Sequence, residues 1–172
     1  DPLLARYGFD GQPPKNRGDA LKIVKNLCDR LFHDRVNLDR YAATGQAQRH
    51  IVSIARAYRS HLTQAGLLDF ASLEDLFLQR LQNGSLDPWL STISTLLIDE
   101  YQDTNPLQEE IYFEICRRTN CQAAVVGDDD QAMYRFRGGS VELFTQFASR
   151  CQGATGRPTR RLDMVTNYRS SG

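Results

Sequence analysis

Two acidic clusters follow short apolar runs in the second half of the chain. The run Thr95–Ile98 leads into Asp99 and Glu100, and the run 123–126 leads through a glycine into Asp128. In open parallel sheets, ligands bind at the carboxyl ends of the strands. Neighbouring side chains at a strand end point in different directions. Asp99 could therefore hold a hydrated Mg²⁺ while Glu100 faces a separate space in which a water is deprotonated, a division of roles that suits phosphoryl transfer. A bare Asp-Glu pair is also typical of a solvated turn.

Strands and helices alternate around these acids. After the first strand, Asn105, Pro106 and Gln108 have the residue types of a cap, a first helical turn and a capping box, which predicts a helix to about Arg118. The second strand follows, then a helix over about 141–149 and a third strand over 160–165. Such alternation predicts a parallel α/β sheet, with the first two strands buried on both faces.

The first half of the chain has helical periodicity and no motif that indicates chemistry. Three apolar stripes predict three helices after a loop of about 18 residues. We expect Asp19 to cap the first, Gly66 to end the second, and the third to run from Ser72 to Asn83-Gly84. The residues expected on the buried stripes are Leu21, Val24, Leu27, Cys28 and Leu31, then Ile51, Ile54, Ala55, Tyr58, Leu62 and Ala65, then Leu73, Leu76, Phe77 and Leu81.

Composition is that of an ordinary globular protein, with 41% hydrophobic and 24% charged residues. The apolar runs are too short to span a bilayer, and no signal peptide opens the chain. Four scattered cysteines without C-x-x-C spacing predict reduced, buried thiols in a cytoplasmic protein, and the three histidines have no zinc-ligand spacing.

The net charge of zero conceals an asymmetry. Residues 99–130 contain nine acidic and two basic residues, whereas residues 131–172 contain seven arginines and two acidic residues. An acidic cluster beside a basic one suits a metal–phosphate site next to a polyanion. Two solvated surfaces would give the same counts, so charge alone leaves both interpretations open.

Three segments carry a specific resemblance. Residues 97–108 read LIDEYQDTNPLQ, residues 126–139 read VGDDDQAMYRFRGG, and residues 167–171 read NYRSS. In order and spacing they resemble motifs II, III and IV of the UvrD/Rep/PcrA group of superfamily 1 DNA helicases. The resemblance covers about a third of the chain. It implies a partial RecA-like parallel sheet, of the P-loop NTPase type, preceded by an all-helical segment.

The resemblance implies a role for each matching residue in an ATP site. Asp99 would be the magnesium ligand and Glu100 the base that activates the attacking water. Gln131 would sense the γ-phosphate of ATP and couple it to DNA contacts. Arg169 would meet the same phosphate across a cleft, and Tyr168 would pack on the adenine.

The same resemblance implies a single-stranded DNA contact. Tyr134 and Phe136 match the aromatic positions that stack on bases, although the second is commonly Trp in the family. Stacking contributes about 1–3 kcal/mol per base and tolerates any sequence. Arg135 and Arg137, which alternate with the aromatics, would attract phosphates. The alternative is that both rings are ordinary core residues.

Domain organisation follows from family order. Residues 1–90 would form a helical insertion-like subdomain, and residues 91–172 a partial RecA-like ATPase domain with motifs II–IV. No G-K-[ST] sequence occurs, so the Walker A loop that cradles phosphates is absent from this chain. With Asp1 rather than Met at the start, we expect a piece of a longer helicase that does not hydrolyse ATP alone.

Three functions remain open at this point. The first is an ATP-driven 3′-to-5′ helicase, of the kind that acts in DNA repair, whose partners would be single-stranded DNA, duplex junctions and the remainder of the helicase chain, with no membrane. The second is the motor of a recombination nuclease or a defence ATPase. The third is a non-catalytic DNA-binding module that retains the motifs.

Overall fold

The structure is a computed structural model of the chain and describes residues 15–128, 141–164 and 166. In chain order these residues form α1 (Arg17–His33), α2 (Leu38–Ala42), α3 (Gln46–Ala65), α4 (Phe70–Gln82), α5 (Asp87–Leu90), β1 (Thr95–Ile98), a 3₁₀ turn (Tyr101–Asp103), α6 (Pro106–Arg118), β2 (Gln122–Val125), α7 (Val141–Thr145) and α8 (Phe147–Thr155). The fold is α/β, mostly helical, with a small parallel sheet.

Two of the predicted helix starts were wrong by two or three residues. Asn16 caps α1, because its extended backbone lets Oδ1 accept the N–H of Asp19 at 3.0 Å. Asp19 is therefore inside the first turn. Helix α4 begins before Ser72, whose N–H donates to Asp69 Oδ1 at 2.7 Å. In both cases an acceptor side chain three residues earlier satisfies an N–H that the helix itself leaves unpaired.

The predicted helix ends are confirmed. Gly66 follows α3 with a φ of 65°, in the left-handed region that glycine adopts without a steric penalty. Asn83 ends α4, and Gly84 has a φ of 83°. The chain therefore reverses between α3 and α4 and again before α5.

Two hydrophobic clusters hold the helices together. One lies within α1–α4 and comprises Cys28, Leu31, Phe32, Tyr41, Val52, Ala55 and Ala71. The other joins α4 and α5 to α6 and comprises Leu78, Leu81, Leu90, Leu107, Ile111, Ile115, Cys116 and Cys121. The second cluster fixes the sheet-connecting helix α6 against the helical half.

Several residues expected on buried stripes are exposed instead: Leu21, Ile54, Ala65 and Leu73. The buried residues of α1 lie only in its C-terminal half, so Leu21 is outside the contact. On α4, Ala71 and Leu78 are buried, whereas Leu73, which was predicted to be buried, is exposed. Periodicity identifies an apolar face, but the neighbouring helix decides which part of that face is covered.

Strands β1 and β2 pair in parallel, with Thr95 opposite Gln122 and Ile98 opposite Val125. Helix α6 connects them and has the predicted capping box. Asn105 Oδ1 accepts the N–H of Gln108 at 2.9 Å, and Gln108 Oε1 accepts the N–H of Asn105 at 3.2 Å. The predicted parallel pair of strands with its connecting helix, in which an acidic residue follows each strand, is thus confirmed.

Three expectations for this half were wrong. Residues 160–164 are exposed and form no strand, because no described strand lies beside them to pair with. The strands are not buried on both faces, since Leu97 is 75% exposed. The helix predicted over 141–149 is two helices, α7 and α8, with a break at Gln146.

All four cysteines are buried and free, as predicted. Within residues 15–128 and 141–164, no helix combines the length and apolarity needed to cross a membrane.

Candidate functional site

The acidic residues lie at one edge of the sheet, where β1 and β2 end side by side. The parallel ladder continues past both strands, because the N–H of Val126 donates to the carbonyl of Ile98 at 2.8 Å. The N–H of Tyr101 then donates to the carbonyl of Val126 at 2.9 Å. Asp99 and Asp128, which follow these two strands, therefore belong to the same edge.

Asp99 and Glu100 are both exposed. Asp99 Oδ1 accepts the N–H of Glu100 at 2.9 Å. Glu100 has a φ of 51° and a ψ of 43°, a left-handed conformation that costs a non-glycine residue on the order of 1–3 kcal/mol. This conformation turns the backbone sharply after β1, so that the next residue returns to β2. Backbone strain of this kind is typical of functional sites.

Gln102 connects the two strand ends. Its Nε2 donates to Glu100 Oε2 at 2.5 Å, and its Oε1 accepts the N–H of Asp128 at 3.0 Å. The side chain is buried, with 2% of its surface exposed. The sequence interpretation did not single out this residue. The signals for it in the sequence were its position two residues after the candidate base and its place in the segment 97–108.

Tyr101 fixes the turn after β1 to the protein interior. It is fully buried, packs edge-to-face on Phe147 at 5.0 Å between ring centroids, and donates its hydroxyl to Glu109 Oε1 at 3.2 Å. Burial, and then the negative charge of Glu109, raise the pKa of Tyr101, so the phenol stays a donor. The sequence interpretation missed this anchor as well.

Glu109 is also held by Arg150 from α8. Arg150 Nε lies 2.8 Å from Glu109 Oε2 and 3.0 Å from Oε1, and Nη2 makes a further bond to Oε2. The hydrogen bond to Glu109 raises the pKa of Arg150. A buried carboxylate with two different donors is stable only because both are in place. The pair therefore ties α8 to the turn that carries Glu100.

The carboxylates suit a magnesium ion in one respect. In the described part of the chain, no group of three or more His, Cys, Asp or Glu residues could enclose a metal ion. Asp99 offers a single exposed carboxylate of the hard oxygen type. Mg²⁺ keeps several waters and is commonly bound by one or two carboxylates together with substrate phosphates. Asp99 fits that role and does not fit a protein-enclosed metal cage.

The remaining predicted site residues lie outside the described residues, and their roles stay predictions. They are Gln131, Tyr134, Arg135, Phe136, Arg137, Tyr168 and Arg169.

Comparison with known proteins identifies the family. Residues 9–152 match the UvrD/REP helicase N-terminal domain. The chain is 30% identical over 163 residues to an ATP-dependent helicase/nuclease subunit of Alkaliphilus oremlandii (strain OhILAs), covering 91% of this chain and 14% of that protein. It is 31% identical over 181 residues to DNA helicase II of Haemophilus influenzae, covering 98% of this chain and 22% of that protein.

The parallel β-α-β unit with acids at its carboxyl edge lies within the residues that match this helicase domain, and the chain is an α/β segment of it. The chain belongs to the UvrD/REP helicase family. It spans between a seventh and a quarter of the length of the two relatives described above. The resemblance stated from the motifs is thereby confirmed.

Proposed function

We propose that this chain supplies the metal-binding and water-activating carboxylates of an ATP-dependent DNA helicase that moves along single-stranded DNA and unwinds duplexes. One observation carries the proposal. Asp99 and Glu100 are exposed at the edge where two parallel strands end together. The helicase names of the relatives support the same function for the natural polypeptide that contains these residues.

Each acid has a distinct role in the proposal. Asp99 would hold Mg²⁺, which supplies charge neutralisation on the phosphates of ATP. Glu100 would accept a proton from the attacking water, and its hydrogen bond to Gln102 would keep the carboxylate in one orientation. Gln131, Tyr168 and Arg169 would contact the nucleotide. The division into residues 1–90 and 91–172 belongs to the same proposal.

We expect ATP hydrolysis by the natural polypeptide to require a divalent cation and to accelerate with single-stranded DNA. Asp99→Asn should raise the Mg²⁺ concentration for half-maximal hydrolysis by on the order of tenfold, because a charged ligand is lost. Asp87→Asn is the matched control, since its carboxylate is exposed and pairs with Arg118 on another surface. An unchanged Mg²⁺ midpoint for Asp99→Asn would contradict the role of this residue.

Helix α3 is a surface that supports a DNA partner, in addition to the predicted contacts at residues 134–137. Its 20 residues include three arginines and two histidines but no acidic residue. Arg56 and Arg59 pair with Asp39 and Asp75, whereas Arg49 is exposed and makes no ion pair with the residues that the structure describes. A basic helix in a chain of zero net charge is typical of phosphate contact.

Arg49→Gln should therefore lower the affinity for DNA and also make that affinity less dependent on salt concentration. For a duplex junction we expect the slope of log K against log salt to become shallower by about 0.9, the change for one lost phosphate contact. Arg80→Gln, an exposed arginine on α4, is the control. Equal slopes for Arg49→Gln and the unsubstituted protein, measured by fluorescence anisotropy across a salt series, would remove α3 from the interface.

A second candidate function is the motor of a helicase–nuclease. The relative from Alkaliphilus oremlandii has the name of an ATP-dependent helicase/nuclease subunit, which favours this candidate. ATP-dependent degradation of linear duplex DNA by the natural polypeptide would favour this candidate over a helicase without nuclease activity. A cytoplasmic location, supported by four free buried thiols, is part of either proposal.

A further inference from the structure

We propose that Gln102 is a positioning residue that transmits the position of the chain after β2 to the carboxylate of Glu100. This inference rests on the proposed function, because it assigns Glu100 the activation of water. The bridge consists of two hydrogen bonds, 2.5 Å to Glu100 Oε2 and 3.0 Å from the N–H of Asp128. The amide of Gln102 therefore connects the end of β1, which carries the proposed base, to the end of β2, which precedes the predicted DNA contacts.

The partners of the amide allow only one orientation. The N–H of Asp128 can only donate, so it requires the amide oxygen of Gln102. The ionised carboxylate of Glu100 can only accept, so it requires the amide NH₂. Because Gln102 is 2% exposed, water has little access to its amide group, and both bonds are directional. Neither an ionised glutamate nor a methionine could make both.

Gly127 fits this bridge by having no side chain. A Cβ at this position would lie 2.7 Å from Gln102 Oε1 and 3.0 Å from a ring carbon of Phe144. Real Cβ atoms do not approach an oxygen so closely, and the ring is held on the other side. The backbone after β2 can therefore lie against the amide only if residue 127 is glycine.

The bridge has a mechanical consequence. Asp128 is followed in the chain by Gln131 and by Tyr134 and Phe136, the predicted nucleotide and DNA contacts. A shift of the backbone at Asp128 would displace the amide oxygen of Gln102 that accepts its N–H. Because the amide group is planar and rigid, its NH₂ group would move as well, and the carboxylate of Glu100 would follow. Gln102 thus links what happens after β2 to the orientation of the water-activating carboxylate. Misplacement of a catalytic group by about 1 Å costs on the order of 10²-fold in rate.

The test compares four variants of the natural polypeptide at saturating single-stranded DNA. Gln102→Met removes both bonds, Gln102→Glu keeps the acceptor for Asp128 but removes the donor to Glu100, and Gly127→Ala displaces the amide. Gly153→Ala is the control, because a Cβ there would meet no atom within 4 Å. We expect the first three to lower kcat for ATP hydrolysis by roughly 10- to 100-fold, with KM near that of the control. For Gln102→Met, which adds neither a clash nor a charge, the thermal midpoint should also stay near that of the control.

A second readout separates positioning from folding. In the background of Glu100→Gln, Gln102→Met should lower the residual kcat little further, since the two residues act as one unit. Additive losses would overturn the inference, as would unchanged kcat for Gln102→Met and Gln102→Glu, or a kcat that falls only with the thermal midpoint. If Glu100→Gln itself retains full kcat, the proposed function fails and this inference fails with it. If only the Gln102 variants retain full kcat, the inference alone is wrong.

Discussion

Glu100→Gln in the natural polypeptide lowers kcat for ATP hydrolysis by about 10²- to 10⁴-fold, the usual contribution of a positioned general base. The reason is that an amide cannot accept a proton from water. The substitution preserves shape, and the new amide oxygen can still accept the hydrogen bond from Gln102 Nε2. We therefore expect KM for ATP to change little, so that the loss lies in the chemical step.

The matched control for this prediction is Glu142→Gln. Glu142 is exposed on α7, and its substitution removes the same charge without touching the edge of the sheet. Its kcat should stay within about twofold of the unsubstituted protein, as surface substitutions rarely have larger effects. Equal losses for both variants would assign the effect to net charge and would contradict the assignment of Glu100.

Arg150→Met has the largest expected effect on stability. It leaves the carboxylate of Glu109 buried with the Tyr101 hydroxyl as its described side-chain donor. Removing one partner of a buried ion pair costs about 3–5 kcal/mol. We expect a value near the lower end, about 3 kcal/mol, because the Arg150 side chain is 39% exposed and water solvates part of the pair. Native-state hydrogen exchange of amides in α6 and α8 measures this free energy locally.

Two further variants sharpen this prediction. Arg161→Met breaks an exposed ion pair with Asp163 and should change local stability by less than about 0.5 kcal/mol. Adding Glu109→Leu to Arg150→Met should recover part of the loss, because no unpaired charge then remains buried. Exchange rates in α6 and α8 that do not differ between Arg150→Met and Arg161→Met would show that the pair does not hold α8 to the site.

Local sequence chemistry was sufficient for the parts of the fold that depend on neighbouring residues. Helix α6 was predicted correctly because Asn105, Pro106 and Gln108 satisfy its first turn among themselves. Gly66 and Asn83-Gly84 ended their helices as expected, because both glycines adopt the left-handed backbone conformation. Strand β1 was predicted by a short apolar run that ends in two acids.

Features that depend on distant partners could not be predicted in this way. A strand over 160–165 required a neighbouring strand, and the sequence of the segment itself does not supply one. The burial of Leu78 rather than Leu73 depends on α6, which begins more than 20 residues later.

The capping errors at Asp19 and Ser72 have a local cause, since the acceptor in each case preceded the residue chosen.

The candidate site divides in the same way. The place of Asp99 and Glu100 could be predicted because both residues directly follow β1 in the sequence. Gln102 was missed because its second partner, Asp128, is 26 residues away, and the Glu109–Arg150 pair spans 41 residues. The motifs therefore predict the atoms that would react, whereas the contacts that orient them become visible only in three dimensions.

Single-turnover cleavage of bound ATP tests the central claim most directly. The natural polypeptide, in excess over radiolabelled ATP with Mg²⁺ and single-stranded DNA, should convert the bound nucleotide to ADP within one turnover. The Glu100→Gln protein should bind the same fraction of ATP and release it mostly intact. Cleavage at equal rates in the two proteins would contradict the account, because a water would then be activated without the carboxylate at the end of β1.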